Sequence, residues 1–258
     1  MNDELVSFKM LVVSEVGAER DLLRGAAAGA ALPVDYSEAT EPHDVTAVCS
    51  LVAKGGLDFV FVDSRMPKAD RQAVYDAAQT SPTRPLVIFI GPAKLKTREV
   101  LSDGADANSV LAKPLYPSEI DAVLGACARA RLPKNVLVVD DSVTVRAVIR
   151  KVLQASRFRL DVAEAEDGAA AIEQAKNRHF DIVFLDCNMP VLDGFATLDV
   201  LKNSHEGMQV VMITGTRDAR IEDRARAAGA SDFLFKPFYA NDIDAVLHRL
   251  FGLMVPSK

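Results

Sequence analysis

Five side chains in the second half of this chain could do chemistry together. Asp186 ends an apolar run, Ile182–Leu185, inside the stretch DIVFLDCNMPVLDG, and Pro190 forbids that run from continuing as a strand. A short continuous apolar run reads as a strand buried on both faces of a parallel sheet, which puts Asp186 at its carboxyl end, the edge where open α/β sheets bind ligands. Asp140 and Asp141 follow another apolar run, Thr214 and Gly215 follow a third, and Lys236 follows a fourth. First and third strands of such sheets are commonly neighbours, so Asp140, Asp141 and Asp186 should meet. Three carboxylates at one point repel unless a cation is present, and an all-oxygen set with room for water is a magnesium pattern. An ammonium from Lys236, a hydroxyl from Thr214 and magnesium would each face one oxygen of a phosphoryl group. Asp186 is then the nucleophile that forms an acyl phosphate.

The elements that must position these residues alternate strictly. In the second half, strands are expected at Asn135–Val139, Leu160–Ala163, Ile182–Leu185, Val210–Ile213 and Phe233–Phe235. The helices between and after them are expected at Ser142–Ala155, with Ser142 as cap, then Gly168–Lys176, Phe195–Asn203, Asp218–Ala228 and Ala240–Leu253. The first half shows the same order: strands at Met10–Val13, Leu32–Tyr36, Asp58–Asp63, Leu86–Ile90 and Ser109–Ala112. Its helices are expected at Ala18–Ala28, Asp44–Lys54, Asp70–Thr80, Thr97–Gly104 and Pro117–Arg131. Such alternation implies α/β domains, each a five-stranded parallel sheet with helices on both faces.

The halves are also copies in residue terms. DFVFVDSRMP at Asp58–Pro67 lies over DIVFLDCNMP at Asp181–Pro190, and IDAVL occurs at Ile120–Leu124 and at Ile243–Leu247. The spacing from Asp63 to Lys113 and from Asp186 to Lys236 is the same 50 positions. We therefore expect two domains, residues 1–132 and 133–258, joined near Pro133 without a Gly/Ser linker.

Composition narrows the function classes. A net charge of −6 suggests no nucleic-acid surface, and no apolar run is long enough to span a membrane. Cys49, Cys127 and Cys187 are unpaired in pattern, which speaks against a disulfide frame or zinc site and for a reducing compartment, the cytoplasm.

VLVVDDS, DIVFLDCNMPVLDG, VVMITG and DFLFKPF resemble the four motif blocks of bacterial response-regulator receiver domains, and the resemblance covers the second copy from end to end. It implies a flavodoxin-like (βα)5 fold of strand order 2-1-3-4-5. It further implies phosphorylation of Asp186 by a histidine kinase or a histidine phosphotransfer protein. Asp140, Asp141, Asp186 and the main-chain carbonyl of Asn188 would handle Mg2+, and Thr214 and Lys236 would bind the phosphoryl oxygens. Thr214 and Phe233 take the family's switch positions, and Lys236–Pro237 is expected to be cis. The family's docking helix here carries Arg146, Arg150 and Lys151, with Val145 and Ile149 between them.

The first copy departs from that pattern. Asp63 and Lys113 remain, but Ser14 and Glu15 replace the acidic pair, Ile90 the threonine and Val110 the aromatic residue. It reads as a degenerate receiver, used as an adaptor or dimerisation module, with Glu15 still able to reach toward a cation. The expected function is a phosphorelay or switch protein, not an enzyme beyond self-catalysed phosphotransfer and autodephosphorylation. It would signal to a downstream protein target, with a homodimer possible. The alternatives are an unphosphorylated scaffold and an aspartyl-phosphate phosphohydrolase. The latter usually shows an Asp two residues past its nucleophile, where Asn188 stands here.

Overall fold

A computed structural model describes residues 7–92, 107–190 and 192–253. The chain divides into two compact units, Met1–Arg131 with Phe251–Lys258, and Leu132–Leu250.

In the first unit, β1 (Phe8–Val13), α1 (Gly17–Gly29), β2 (Val34–Glu38), α2 (Val45–Ala53), β3 (Phe59–Asp63), α3 (Lys68–Thr80), β4 (Leu86–Pro92), β5 (Ser109–Lys113) and α4 (Pro117–Arg131) follow in order. The helix expected at Thr97–Gly104 lies outside the described residues. In the second unit come β6 (Lys134–Val139), α5 (Val143–Ala155), β7 (Leu160–Ala165), α6 (Gly168–Asn177) and β8 (Ile182–Asp186). They are followed by α7 (Gly194–Ser204), β9 (Gln209–Thr214), α8 (Ala219–Ala227), β10 (Asp232–Phe235) and α9 (Ala240–Phe251). All strand pairs are parallel, in the orders β2-β1-β3-β4-β5 and β7-β6-β8-β9-β10. This is the doubly wound flavodoxin-like topology, present twice.

The central strands are where the apolar runs pointed. Every residue of β3 and of β8 is buried, because helices cover both faces of these strands. The edge strands differ. β2 (VDYSE) starts two residues later than the apolar run suggested and ends at Glu38, and β7 extends past Ala163 to Ala165. Each pairs on one side only and keeps polar side chains toward solvent, so hydrophobicity understates its length.

Helix starts are set by carboxylates and hydroxyls. Asp44, Ser142, Asp167, Asp193 and Asp218 each accept a hydrogen bond from a backbone N–H of the first turn. Asp218 is thus a cap rather than a helical residue. The last helix stops at Phe251 and not at Leu253, since Gly252 takes a φ of 73°. The three cysteines are free thiols. No helix among the described residues is long and apolar enough to cross a membrane.

One buried titratable group couples this fold to pH. His248 of α9 is fully buried, with Nδ1 2.8 Å from the Asp244 carbonyl and its ring edge-on to Phe158. Burial holds its pKa below the usual imidazole value; Asp244 opposes this and Arg157 adds to it. The unfolded chain therefore takes up a proton that the folded chain refuses. Stability is full above the unfolded value and falls as pH drops below about 6.5, by no more than about 1.4 kcal/mol per pH unit from this group. Urea unfolding between about pH 5 and 7.5 should show a shallower slope in His248→Asn than in the natural chain.

Candidate functional site

Sheet register brings the acids together. Val139 pairs with Leu185 at the ends of β6 and β8, so Asp140 leaves its strand beside Asp186. Asp186 lies opposite Ile213, and Thr214 opposite Phe235, which sets Lys236 at the same carboxyl edge. Carboxylate oxygens of Asp140, Asp141 and Asp186 all lie within 4.8 Å of one another. Asp140 and Asp186 are buried and Asp141 is exposed. Lys236 Nζ stands between the two buried acids, 2.9 Å from Asp140 Oδ2 and 3.1 Å from Asp186 Oδ1.

Three carboxylates against one ammonium leave this cluster with excess negative charge. Asp140 is anchored further by the Ser142 N–H, 2.9 Å from its Oδ1. Burial raises the pKa of Asp186 above the usual carboxylate value and the neighbouring Asp140 charge adds to this, against the pull of Lys236 and of the Asn188 N–H. Burial by itself would lower the Lys236 pKa, but its bonds to Asp140 and Asp186 raise it. An ionised Asp186 is thus under-compensated by the chain's own groups. A compact set of hard oxygen donors short of positive charge is what a magnesium ion fits.

The remaining predicted residues are placed as follows. Thr214 is buried, and its hydroxyl is held by its own loop, 3.2 Å from the Thr216 N–H and 3.4 Å from the Thr216 carbonyl. The side chain of Asn188 is exposed, while its main chain bonds Asp186. Phe233 is buried in the core, its ring 6.1 Å from that of Phe235, and the Arg226 guanidinium covers it at 4.9 Å. The Lys236–Pro237 peptide is cis, as is Lys113–Pro114.

On α5 the expected face needs correction. Ile149 is fully buried in the core, and the exposed apolar residues are Val143 and Val148. Arg146 donates to the Asp140 carbonyl at 2.7 Å, and both Arg146 and Arg150 pair with Glu164. The 3.6-residue period explains this: Ile149 lies on the stripe with Leu153, whereas Val148 lies off it.

Gly194 supports the loop after Asp186. A Cβ at this position would run into the Asp186 carbonyl oxygen and lie 2.8 Å from Cys187 Cα, both backbone atoms that cannot swing away. Gly194→Ala should cost about 2–3 kcal/mol in chemical unfolding, as overpacking against fixed backbone does. Cys187 beside it is an inert thiol: burial, with the Asp186 charge, pushes its pKa up to about 11.

The first copy's site is built differently. Ser14 follows Val13, which pairs with Val62, and so meets Asp63. Ile90 is buried opposite Asp63 just as Ile213 is opposite Asp186, so it is not the counterpart of Thr214. One residue further along β4 that position falls on Gly91, which also lacks a hydroxyl, and Val110 is in the core. Two residues not singled out from the sequence join the site. Arg65 brings Nε to 3.1 and 3.0 Å from the two Asp63 oxygens and closes its Nη2 on Oδ2. Glu19 of α1 lies 2.5 Å from Lys113 Nζ, whereas Glu15 is exposed. Arg65 was legible: it stands over Asn188 in the aligned repeat. Glu19 was not, because nothing in a helix heptad shows which acid turns toward the sheet edge.

Comparisons with known proteins bear on the family and the fold. The family model "Response regulator receiver domain" matches residues 136–248. The chain is 35% identical over 115 residues to the chemotaxis protein CheY of Bacillus subtilis, covering 45% of this chain and 95% of that one. It is 34% identical over 118 residues to protein CcdB of the same organism, covering 46% and 98%. A solved structure titled as a putative two-component system response regulator/GGDEF domain protein aligns over 95% of this chain and 98% of that chain. Its TM-score is 0.57 at 22% identity, which speaks for the fold alone. The chain belongs to the response regulator receiver domain family, and it carries the receiver fold in tandem, the first copy degenerate.

Proposed function

We propose that this protein accepts a phosphoryl group on Asp186 from a phosphohistidine donor and passes the signal on through protein contacts. The observation that carries the reading is the Asp140–Asp141–Asp186 cluster, which lies within 4.8 Å and has Lys236 bridging its buried members. In the transfer, an Asp186 carboxylate oxygen attacks phosphorus, a P–O bond forms, the P–N bond of the phosphohistidine breaks, and the imidazole leaves. Asp140, Asp141, Asp186 and the Asn188 carbonyl would hold Mg2+, which when bound neutralises charge on the phosphoryl oxygens. Lys236 donates to one of those oxygens once Asp186 carries the phosphoryl group. Thr214 donates to another by giving up its bonds to Thr216, which at 3.2 and 3.4 Å are long and weak.

The change at Thr214 reaches Phe233 through the β9–β10 pairing, in which Thr214 and Phe235 are partners. A turn of the Phe233 ring would then release Arg226 from its face and alter the α8–β10 surface. Residues 1–132 act as an adaptor or dimerisation module and 133–258 as the phosphorylated receiver. The donor is a histidine kinase or a histidine phosphotransfer protein, the recipient a downstream protein, and the setting cytoplasmic.

Incubation with a labelled phosphohistidine protein, with and without Mg2+, tests this. The expected product is an acid-stable, hydroxylamine-labile label that forms only with magnesium. Equal labelling after chelation, or none with any donor or with beryllofluoride as mimic, would overturn it and favour a scaffold.

A further inference from the structure

The first domain keeps the fold and the nucleophile position, yet its site does not fit a divalent cation. Around Asp63 the positive charge is already supplied. Arg65 takes both Asp63 oxygens, and its backbone N–H adds a third bond at 2.9 Å. Lys113 Nζ lies 3.4 Å from each Asp63 oxygen and bridges to Glu19. The Ser14 hydroxyl lies 3.0 Å from Glu19 Oε2 and 3.4 Å from Asp63 Oδ2. Asp63, Glu19 and the exposed Glu15, which acts on Arg65, therefore face two cations, where the second domain sets three carboxylates against one. Every oxygen a metal could use on Asp63 already accepts from nitrogen, and the acid pair that would add ligands is Ser14 with an exposed Glu15. A planar guanidinium matches a carboxylate with two parallel bonds, so the arrangement is specific and not a chance contact.

We infer that Arg65 is the built-in cation of the first domain: with Lys113 it clasps Asp63 and Glu19, excludes Mg2+, and holds this domain in one state that neither metal nor phosphoryl group resets. A receiver changes state because a new charge arrives at an under-compensated site. A site whose nucleophile oxygens are already held by its own cations offers an arriving charge little differential affinity. The second domain can then switch while the surface of the first stays constant.

The test uses the 258-residue chain and Mn2+ as a paramagnetic probe of divalent binding. Asp140→Asn with Asp141→Asn removes the second site, and this parent should bind no Mn2+. Adding Arg65→Asn and Ser14→Asp should create one bound Mn2+ per chain, which a further Asp63→Asn abolishes. The inference is overturned if the parent already binds Mn2+ in an Asp63-dependent way. It is also overturned if the Arg65→Asn, Ser14→Asp chain is folded by circular dichroism and still binds none. The natural chain measured in parallel reports on Asp186 alone, so failure there counts against the proposed function and not against the clasp.

Discussion

Asp186→Asn should reduce phosphoryl labelling by about a hundredfold or more, to the level of a chain with no acceptor, while Asp63→Asn should leave labelling unchanged. The amide retains the shape of the carboxylate but not the lone-pair basicity that attacks phosphorus. The contrast between the copies comes from their partners. Asp186 is buried with one ammonium for two acids, so its negative charge is available to a metal and an electrophile. Both oxygens of Asp63 are already committed to Arg65 and Lys113. Labelling with a small phosphodonor, read on intact chains by mass spectrometry, separates the outcomes. Retained label in Asp186→Asn that Asp63→Asn removes would place the acceptor in the wrong domain.

The same two substitutions should move stability in opposite directions in metal-free buffer. Asp186→Asn is expected to stabilise the fold by about 1 kcal/mol, because a carboxyl whose pKa is raised by burial and by Asp140 costs free energy to keep ionised at neutral pH. Lys236 keeps Asp140 as a partner in that variant. Asp63→Asn is expected to destabilise by about 2 kcal/mol, a value tempered by the exposure of Arg65. Burial acts to raise the Asp63 pKa, but the Arg65 hydrogen bonds and the Lys113 charge outweigh it and lower the net value. The pH dependence follows. Asp63, with its folded pKa depressed, contributes stability above about pH 4 that is lost as pH falls through the folded value. Asp186, with its folded pKa raised, contributes below about pH 4, and the contribution is lost as pH rises through the folded value. Guanidinium melts of the three chains in chelator decide it, and parallel shifts of the two variants would refute the electrostatic contrast. Saturating Mg2+ should reverse the sign for Asp186→Asn alone, since the natural chain then gains ligand-linked stability that the variant cannot.

Much of the site could be read from the chain because its parts sit at strand ends. Buried strands of a parallel sheet are unbroken apolar runs, so β3 and β8 were visible, and Asp63 and Asp186 as their last residues with them. The apolar runs misplace the edge strands β2 and β7 by two residues, because one side of each faces water and charge breaks the run. On α5, Ile149 and Val148 differ by one position, and only the helix's rotation on the sheet decides which is buried.

The amino-acid sequence by itself determined the tandem α/β architecture, the two aspartates and two lysines at equivalent spacing, and the loss of acid pair, hydroxyl and aromatic ring in the first copy. It does so because strand periodicity and strand termini are local properties. What only the tertiary structure decided is who neutralises whom. Lys236 bridges Asp140 and Asp186 across 96 and 50 positions of chain, and Glu19 rather than Glu15 answers Lys113. Ion pairing depends on distance in space through side chains whose direction is set by packing, and no spacing along the chain encodes that.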